Sequence, residues 1–102
     1  MFSNLDCTYN FTSSYDRLKI IENTLFNSNS NSNSNKWIKD SQTKDNQLRY
    51  IKNYDELNLI EINIIDKGYY KVFVPINEIT FTLHFEEKSF NKMLKYVNQF
   101  IN

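Results

Sequence analysis

The sequence predicts an α+β domain, a two-layer sandwich in which an antiparallel sheet of three to four strands has two helices packed on one face. Three patterns predict this arrangement. Apolar side chains recur at helical spacing in residues 14–26 and again in residues 89–101, and they alternate strictly in residues 79–85. Helices that cover one face of an antiparallel sheet give a two-layer sandwich. At 102 residues the chain makes one domain, residues 1–102.

The composition disfavours several classes of function. The 12 basic and 12 acidic residues cancel, whereas a protein that binds nucleic acid by itself usually has a basic excess. The single cysteine, Cys7, excludes an internal disulfide and a cysteine zinc site. No apolar run has the length of a membrane span, and the first residues lack the pattern of a signal peptide. We therefore expect a protein of the cytoplasm, the nucleus or both.

The N-terminal part of the chain predicts a strand followed by a helix. Residues 7–11 are β-prone, with two aromatic residues on one face. Ser13 or Ser14 can cap a helix that runs over residues 14–26, and Asp16 in its first turn suits the helix dipole. The apolar stripe of this helix consists of Leu18, Ile21 and Leu25.

The next segment is polar. Residues 27–35 alternate Asn and Ser and bury no apolar surface, so we predict a disordered loop. A neutral repeat in a tolerant loop is favoured over a functional tether. Residues 36–55 contain only two apolar patches, and no clear pattern predicts a helix or a strand there.

Two strands joined by a turn follow. Residues 57–65 alternate, with Ile60, Ile62 and Ile64 on one face. Gly68 suits the turn at residues 66–68 because glycine accepts a positive φ. Residues 70–76 then pair back as a hairpin, and Pro75 indicates a strand end or an edge there.

The last strand and helix complete the predicted core. The turn Asn77-Glu78 leads into the strand of residues 79–85, and Ser89 caps the final helix. The apolar stripe of that helix is Phe90, Met93, Leu94, Val97 and Ile101. The predicted core is Phe11, Leu18, Ile21, Leu25, Phe81, Leu83, Phe85, Met93 and Val97.

Few residues are candidates for chemistry. His84 could act as a general base oriented by Glu86, but a solvated sheet face is the favoured interpretation. Cys7 has no histidine near it in sequence, so an inert thiol is favoured over a nucleophile. The carboxylates Asp66, Glu78, Glu86 and Glu87 do not have the spacing of a known metal loop. We predict no enzyme activity, no cofactor and no metal site.

One cluster of aromatic and basic residues could imitate a stacking platform for RNA. It consists of Tyr69, Tyr70 and Phe73 with Lys67 and Lys71. Ordinary cross-strand packing of aromatic side chains is the favoured interpretation.

Two segments resemble the small dimerisation subunit of the KEOPS (EKC) complex, the family of the CTAG/LAGE antigens. The first is Phe11 followed by Thr12-Ser-Ser and a helix with Leu18, Ile20 and Leu25. The second is the strand ending at Phe85, the acidic pair Glu86-Glu87, and the helix with Met93, Val97 and Phe100. The chain departs from the family in a long insertion, residues 27–66, which contains an extra strand, and in Leu94 where the family has arginine.

The resemblance implies a non-catalytic dimerisation and scaffold subunit of a complex that makes threonylcarbamoyl-adenosine in tRNA. It implies a homodimer, a threonylcarbamoyl transferase subunit as protein partner, and tRNA contact only through the complex. The matching partner-interface candidates are Leu18, Ile21, Leu25, Met93, Val97 and Phe100.

Two other classes remain open. One is an unrelated interaction or inhibitor module, similar to an immunity protein, that uses the edge of the hairpin 57–76 to bind a strand. The other is a minor RNA-binding domain that uses Tyr69, Tyr70 and Phe73. Capture of one small toxin or enzyme would indicate the first, and salt-sensitive RNA retention would indicate the second.

Overall fold

The computed structural model describes residues 14–27, 36–41, 44–66 and 68–101. Over these residues the fold is α+β, as predicted. Its elements in chain order are α1 (Ser14–Leu25), β1 (Trp37–Lys39), β2 (Gln47–Lys52), β3 (Asp55–Asp66), β4 (Tyr69–Ile76), β5 (Ile79–Glu86) and α2 (Phe90–Ile101). A short 3₁₀ turn, Glu87–Ser89, joins β5 to α2. Both helices lie within one residue of their predicted bounds.

The strands form one five-stranded antiparallel sheet in the order β1-β2-β3-β4-β5. The prediction of three to four strands is too low, because residues 36–55 contribute β1 and β2. β1 has only three residues. In β2 only the side chains of Leu48 and Tyr50 are buried in the core. Alternation this short is too weak a signal to predict a strand.

The register of the sheet shows which face is the inner one. One cross-strand row consists of Leu48, Ile62, Val72 and Leu83, which belong to β2, β3, β4 and β5. Tyr70 lies on the same face and contacts Arg17 of α1 and the ring of Phe90 of α2. Both helices therefore pack on one face of the sheet, and they lie side by side.

Both helices cross the sheet obliquely. They begin beside the end of β5, where Arg17 of α1 forms an ion pair with Glu87. At the other end of α1, the rings of Phe26 and Trp37 have centroids 6.3 Å apart. The indole Nε1 of Trp37 also donates a hydrogen bond to the carbonyl oxygen of Ile101, 3.2 Å away. Trp37 belongs to β1, which lies at the opposite edge of the sheet from β5. The helices therefore run from the end of β5 towards β1, and they leave the beginning of β5 uncovered.

Most of the predicted core is confirmed. The buried members are Leu18, Ile21, Leu25, Met93 and Val97. Leu83 and Phe85 are only partly buried. The prediction for Phe81 is wrong, because 45% of its surface is exposed at the uncovered beginning of β5. The inner residues of the two central strands supply much of the rest: Ile60, Ile62, Ile64, Tyr70, Val72 and Val74.

Turn residues with positive φ connect the strands. Asn77 and Glu78, the predicted turn between β4 and β5, have φ of 52° and 64°. Asn53 and Tyr54 form a similar turn between β2 and β3, with φ of 53° and 60°. Gly68 has a φ of 87° in the predicted turn between β3 and β4. Two-residue turns of this kind match the twist of the strands that they join.

Some predictions lie outside the described residues. These are the strand at residues 7–11, the core position Phe11, and the disordered loop at 27–35 except for Asn27. The segment 27–66 contributes three strands rather than one extra strand. No helix among the described residues is long and apolar enough to cross a membrane.

Candidate assembly surface

Among the described residues the sheet ends in two edge strands, β1 and β5, and they differ in how well they are protected. β1 has three residues and carries a lysine, Lys39. β5 has eight residues, Ile79–Glu86, and its pairing with β4 is regular throughout. Natural edge strands are usually protected by short length, lysine, proline or a bulge. β5 has none of these features, so within the described part of the chain it presents an unprotected edge.

The helix-facing side of this edge exposes apolar surface. Ile79 is 60% exposed and Phe81 is 45% exposed. Further along the strand, Leu83 and Phe85 are partly covered. Phe85 lies against Tyr96 of α2, with ring centroids 6.3 Å apart. The exposed half of β5 is therefore the half that the oblique helices do not reach.

The hairpin turn decides which backbone groups of β5 are free. Ile76 and Ile79 close the two-residue turn, so they form a hydrogen-bonded pair in the antiparallel ladder. Hydrogen-bonded pairs alternate along the ladder, so the odd-numbered residues of β5 bond to β4. The N–H and C=O groups of Thr80, Thr82 and His84 consequently point outward from the sheet edge.

The end of β5 is fixed by a buried polar cluster. The Nε of Arg17 donates to the hydroxyl oxygen of Tyr70 at 3.0 Å, and this hydroxyl donates to Glu87. Arg17 also forms an ion pair with Glu87, and its guanidinium lies 4.1 Å from the centroid of the Phe90 ring. All of these groups are partnered with one another. The cluster therefore has a structural role: its contacts hold the end of β5, the 3₁₀ turn and both helices together.

Comparison with protein families, with curated proteins and with solved structures gives no match for this chain.

The predicted partner-interface residues are mostly in the core. Leu18, Ile21, Leu25, Met93 and Val97 are buried beneath and between the helices. A partner cannot contact them in this structure. Phe100 is only partly buried, and its ring lies 5.3 Å from that of Tyr96. The exposure of Ile79 could not be predicted from sequence. Alternation shows on which face of the sheet a residue lies, but it does not show how much of that face the helices cover.

The structure contradicts the site of each alternative class. β3 and β4, the strands of the hairpin 57–76, are both internal, so that hairpin offers no free edge. Tyr70 is fully buried under the helices. Tyr69 and Phe73 lie on the opposite face of β4, so the three aromatic residues do not form one platform for bases.

His84 lies on the uncovered face of the sheet and is exposed. Its cross-strand neighbour is Lys71. The carboxylate of Glu86 lies 3.3 Å from Nζ of Lys88. Among the described residues, no carboxylate forms a hydrogen bond or ion pair with the imidazole, so none of them orients it as a general base.

A cleft of about 440 Å³ lies between α1 and the residues that follow β1. Its most buried carboxylate belongs to Glu22, which is 6% exposed. The hydroxyl of Tyr50 donates to Glu22 at 2.6 Å, and Nζ of Lys39 lies 3.3 Å from the same oxygen. Burial, with the hydrogen bond to Glu22 and its negative charge, raises the pKa of Tyr50. The carboxylate is thus fully engaged in structural contacts.

A polar network lies on the uncovered face of the sheet. Arg49 contacts Asp40 at 2.5 Å and Glu61 at 2.6 Å. Asn63 donates to the other oxygen of Glu61 at 2.9 Å. The hydrogen bond to Asp40 raises the pKa of Arg49, against the lowering effect of burial. Over the part of the chain that the structure describes, no three acidic, histidine or cysteine side chains group as metal ligands.

Proposed function

We propose that the protein is a non-catalytic scaffold subunit and that the β5 edge is its assembly surface. The observation that carries the proposal is the exposure of Ile79 and Phe81 on a strand that forms an edge of the sheet among the described residues. An exposed sheet edge binds a strand of another chain through main-chain hydrogen bonds, and neighbouring apolar side chains add affinity. The same exposure in an isolated domain would favour aggregation.

The complex we propose for this subunit is a KEOPS-like one, which makes threonylcarbamoyl-adenosine in tRNA. Support comes from the resemblance of the two helices and β5 to the KEOPS dimerisation subunit. Two helices lying side by side on one face of the sheet agree with that resemblance. The three strands in residues 27–66 are a departure from it. On this proposal the protein partner is a threonylcarbamoyl transferase subunit, and tRNA is contacted through the complex.

Binding to a purified transferase subunit tests the proposal. Three forms of the chain are compared: the wild type, an edge variant with Ile79→Lys and Phe81→Lys, and a control variant with Leu57→Lys and Ile65→Lys. The control positions are as exposed as the edge positions but lie away from β5. Two lysines on an assembly edge should weaken capture by roughly ten-fold or more.

The proposal predicts strong capture by the wild type and the control and weak capture by the edge variant. Equal capture by all three would show that β5 is not the assembly surface. Failure of the wild type to bind any transferase subunit would contradict the KEOPS-like assignment. Salt-sensitive retention of tRNA by the isolated chain would contradict the claim that tRNA contact needs the complex.

A further inference from the structure

We infer that the cleft between α1 and the residues that follow β1 binds a small aromatic carboxylate. The cleft lies on the β1–β2 side of the sheet, whereas the proposed assembly surface is β5 at the other edge. The inference therefore goes beyond the proposed function and does not depend on it. The volume of about 440 Å³ is that of a small-molecule site, since such sites measure roughly 300 to 1,000 Å³.

Apolar side chains line one part of the cleft. Leu18 of α1 and Leu48 of β2 both belong to the lining, and both are nearly buried. Tyr15 precedes Leu18 by three residues, so the two lie on the same side of α1. The Tyr15 side chain lines the cleft and is 61% exposed, so its ring can pack against the ring of a ligand. An aromatic ligand would also cover the leucine surface, which favours binding.

Two ammonium groups lie beside this apolar part. Nζ of Lys39 is 3.3 Å from one carboxylate oxygen of Glu22, and Nζ of Lys19 is 3.9 Å from the other. Both lysine side chains are about half exposed. Two positive charges thus accompany one negative charge, and the surplus positive charge attracts an anion.

Glu22 holds these ammonium groups in place. Its carboxylate is nearly buried and accepts a hydrogen bond from the hydroxyl of Tyr50 at 2.6 Å. An ammonium group has three N–H donors, so a contact with Glu22 leaves donors for a ligand. Donors that are already positioned bind a carboxylate with a smaller loss of conformational freedom.

The dimensions of the cleft suit a bicyclic ring with a short acidic side chain. Tyr15 and Glu22 lie seven residues apart along α1, which corresponds to about 10 Å. A ring packed on Tyr15 and Leu18 would therefore place its carboxylate near the lysines that contact Glu22. This arrangement gives the site an apolar part and a positive part.

The other charged residues of the lining do not cancel the surplus at Glu22. The carboxylate of Asp40 lies 2.5 Å from Nε of Arg49, so its charge is paired. Asp45 is exposed and adjacent in sequence to Lys44, which also lines the cleft. An anion is therefore favoured over a cation of the same shape.

An NMR titration of the full chain with three naphthyl compounds tests the inference. The compounds share one ring system and differ in charge: naphthylacetate is an anion, naphthylacetamide is neutral and naphthylethylamine is a cation. Naphthylacetate should bind with a dissociation constant of about 1 mM and shift the backbone amide signals of Lys39, Ser41 and Leu48. Naphthylacetamide should bind about ten-fold more weakly, and naphthylethylamine more weakly still.

Lysine variants test the positive part of the site. Lys19→Met/Lys39→Met should weaken naphthylacetate binding about ten-fold and leave naphthylacetamide binding unchanged, because only the charges are lost. Lys92→Met/Lys95→Met is the matched control, since it removes two exposed lysines of α2 that do not line the cleft. Circular dichroism shows whether each variant is folded. If the double variant does not fold, Lys19→Met alone should still reduce the preference for the anion.

Tyrosine variants test the apolar part. Tyr15→Ala should weaken naphthylacetate and naphthylacetamide alike, by about three-fold, because both lose the same ring contact. Tyr54→Ala is the control, because Tyr54 is also strongly exposed but lies in the turn between β2 and β3. It should weaken neither compound.

Four results would overturn the inference. One is the absence of any shift with naphthylacetate at about 10 mM. Another is a set of shifts confined to the region of Ile79 and Phe81, which would mean that the ring binds the exposed apolar part of β5 instead. Equal affinity for the three compounds would contradict the assignment of an anion. Equal weakening by the two pairs of lysine substitutions would show that the site lies elsewhere. Capture of a transferase subunit through β5 is measured separately, so either proposal can fail without the other.

Discussion

Arg17, one turn into α1, forms an ion pair with Glu87, the residue that follows β5. The hydroxyl of Tyr70 bonds to both partners, and the ring of Phe90 lies against the guanidinium. Residues of α1, β4, the 3₁₀ turn and α2 thus meet at one charged group that is only 2% exposed. A buried charge needs a partner, because desolvation is costly when the charge is left alone.

Replacing Glu87 by glutamine should destabilise the fold strongly. The amide keeps the shape of the side chain but leaves the Arg17 charge buried without a counter-charge. Because the Glu87 side chain retains 25% exposure, we expect a loss of about 2 kcal/mol rather than the larger value for a fully buried pair. Urea denaturation at fixed protein concentration measures it.

Glu86→Gln is the matched control. Glu86 is exposed and its carboxylate forms a surface ion pair with Lys88, so its replacement should change the free energy of unfolding by less than about 0.5 kcal/mol. Equal effects of the two substitutions would mean that the ion pair of Glu87 with Arg17 adds no more stability than a surface ion pair.

The hydrogen bond from Tyr50 to Glu22 predicts a dependence of stability on high pH. Burial and the contact with Glu22 raise the pKa of Tyr50 in the folded protein above its ordinary value of 10.0. The folded state therefore favours the neutral phenol, and this contribution is fully present below pH 10.0. It decreases as the pH rises above that value, because the unfolded chain can ionise the phenol first. Tyr50→Phe should accordingly make alkaline loss of stability less steep.

At neutral pH the same substitution should cost about 1 kcal/mol, since one buried hydrogen bond is lost. Tyr54→Phe is the control, because Tyr54 is 76% exposed in a turn. Thermal melts of the two variants and the wild type between neutral pH and pH about 11 would show the difference. If Tyr50→Phe lost stability with pH as steeply as the wild type, the buried phenol would not be the group responsible.

The helices and the last hairpin could be predicted from sequence because their periods extend over whole elements. The helical stripe Leu18, Ile21 and Leu25 and the alternation at residues 79–85 each repeat often enough to be recognised. β1 could not be predicted, because its three residues acquire their conformation from pairing with β2 and from the contact of Trp37 with Ile101.

The exposed edge at β5 could not be predicted from sequence for a different reason. Phe81 and Leu83 share one face and one pattern, yet the structure leaves the first exposed and partly buries the second. The difference arises from the oblique path of α2, which is fixed by contacts at Trp37 and Arg17 far from β5 in sequence.

The turn at Gly68 predicts a destabilising substitution. Its φ of 87° lies in the region that side chains other than glycine adopt only with strain. An added Cβ would lie 3.6 Å from Cβ of Glu87, which is an ordinary contact, so the cost comes from the backbone and not from a clash. We expect Gly68→Ala to lose about 1 to 2 kcal/mol by urea denaturation. An unchanged midpoint would show that the turn can relax to a negative φ.

In the turn before β5, a substitution to glycine should stabilise the fold. Glu78 has a φ of 64° at the second position of a two-residue turn, where glycine is preferred, and its side chain is exposed. Glu78→Gly relieves strain of about 1 to 2 kcal/mol, while the extra freedom of glycine in the unfolded chain costs about 0.5 to 1 kcal/mol. The net result should be a gain of between about 0 and 1.5 kcal/mol.

Thr80→Gly, two residues later in β5, is the control for that gain. At Thr80 the backbone is extended and unstrained, so glycine has no strain to relieve there. Thr80→Gly should therefore destabilise the hairpin by about 1 kcal/mol. Denaturation of both variants at one protein concentration separates the turn from the strand. Because this turn fixes which residues of β5 face outward, a stabilising Glu78→Gly should also leave the exposed edge in the same register. Destabilisation by Glu78→Gly would mean that the glutamate side chain contributes a contact that outweighs its backbone strain.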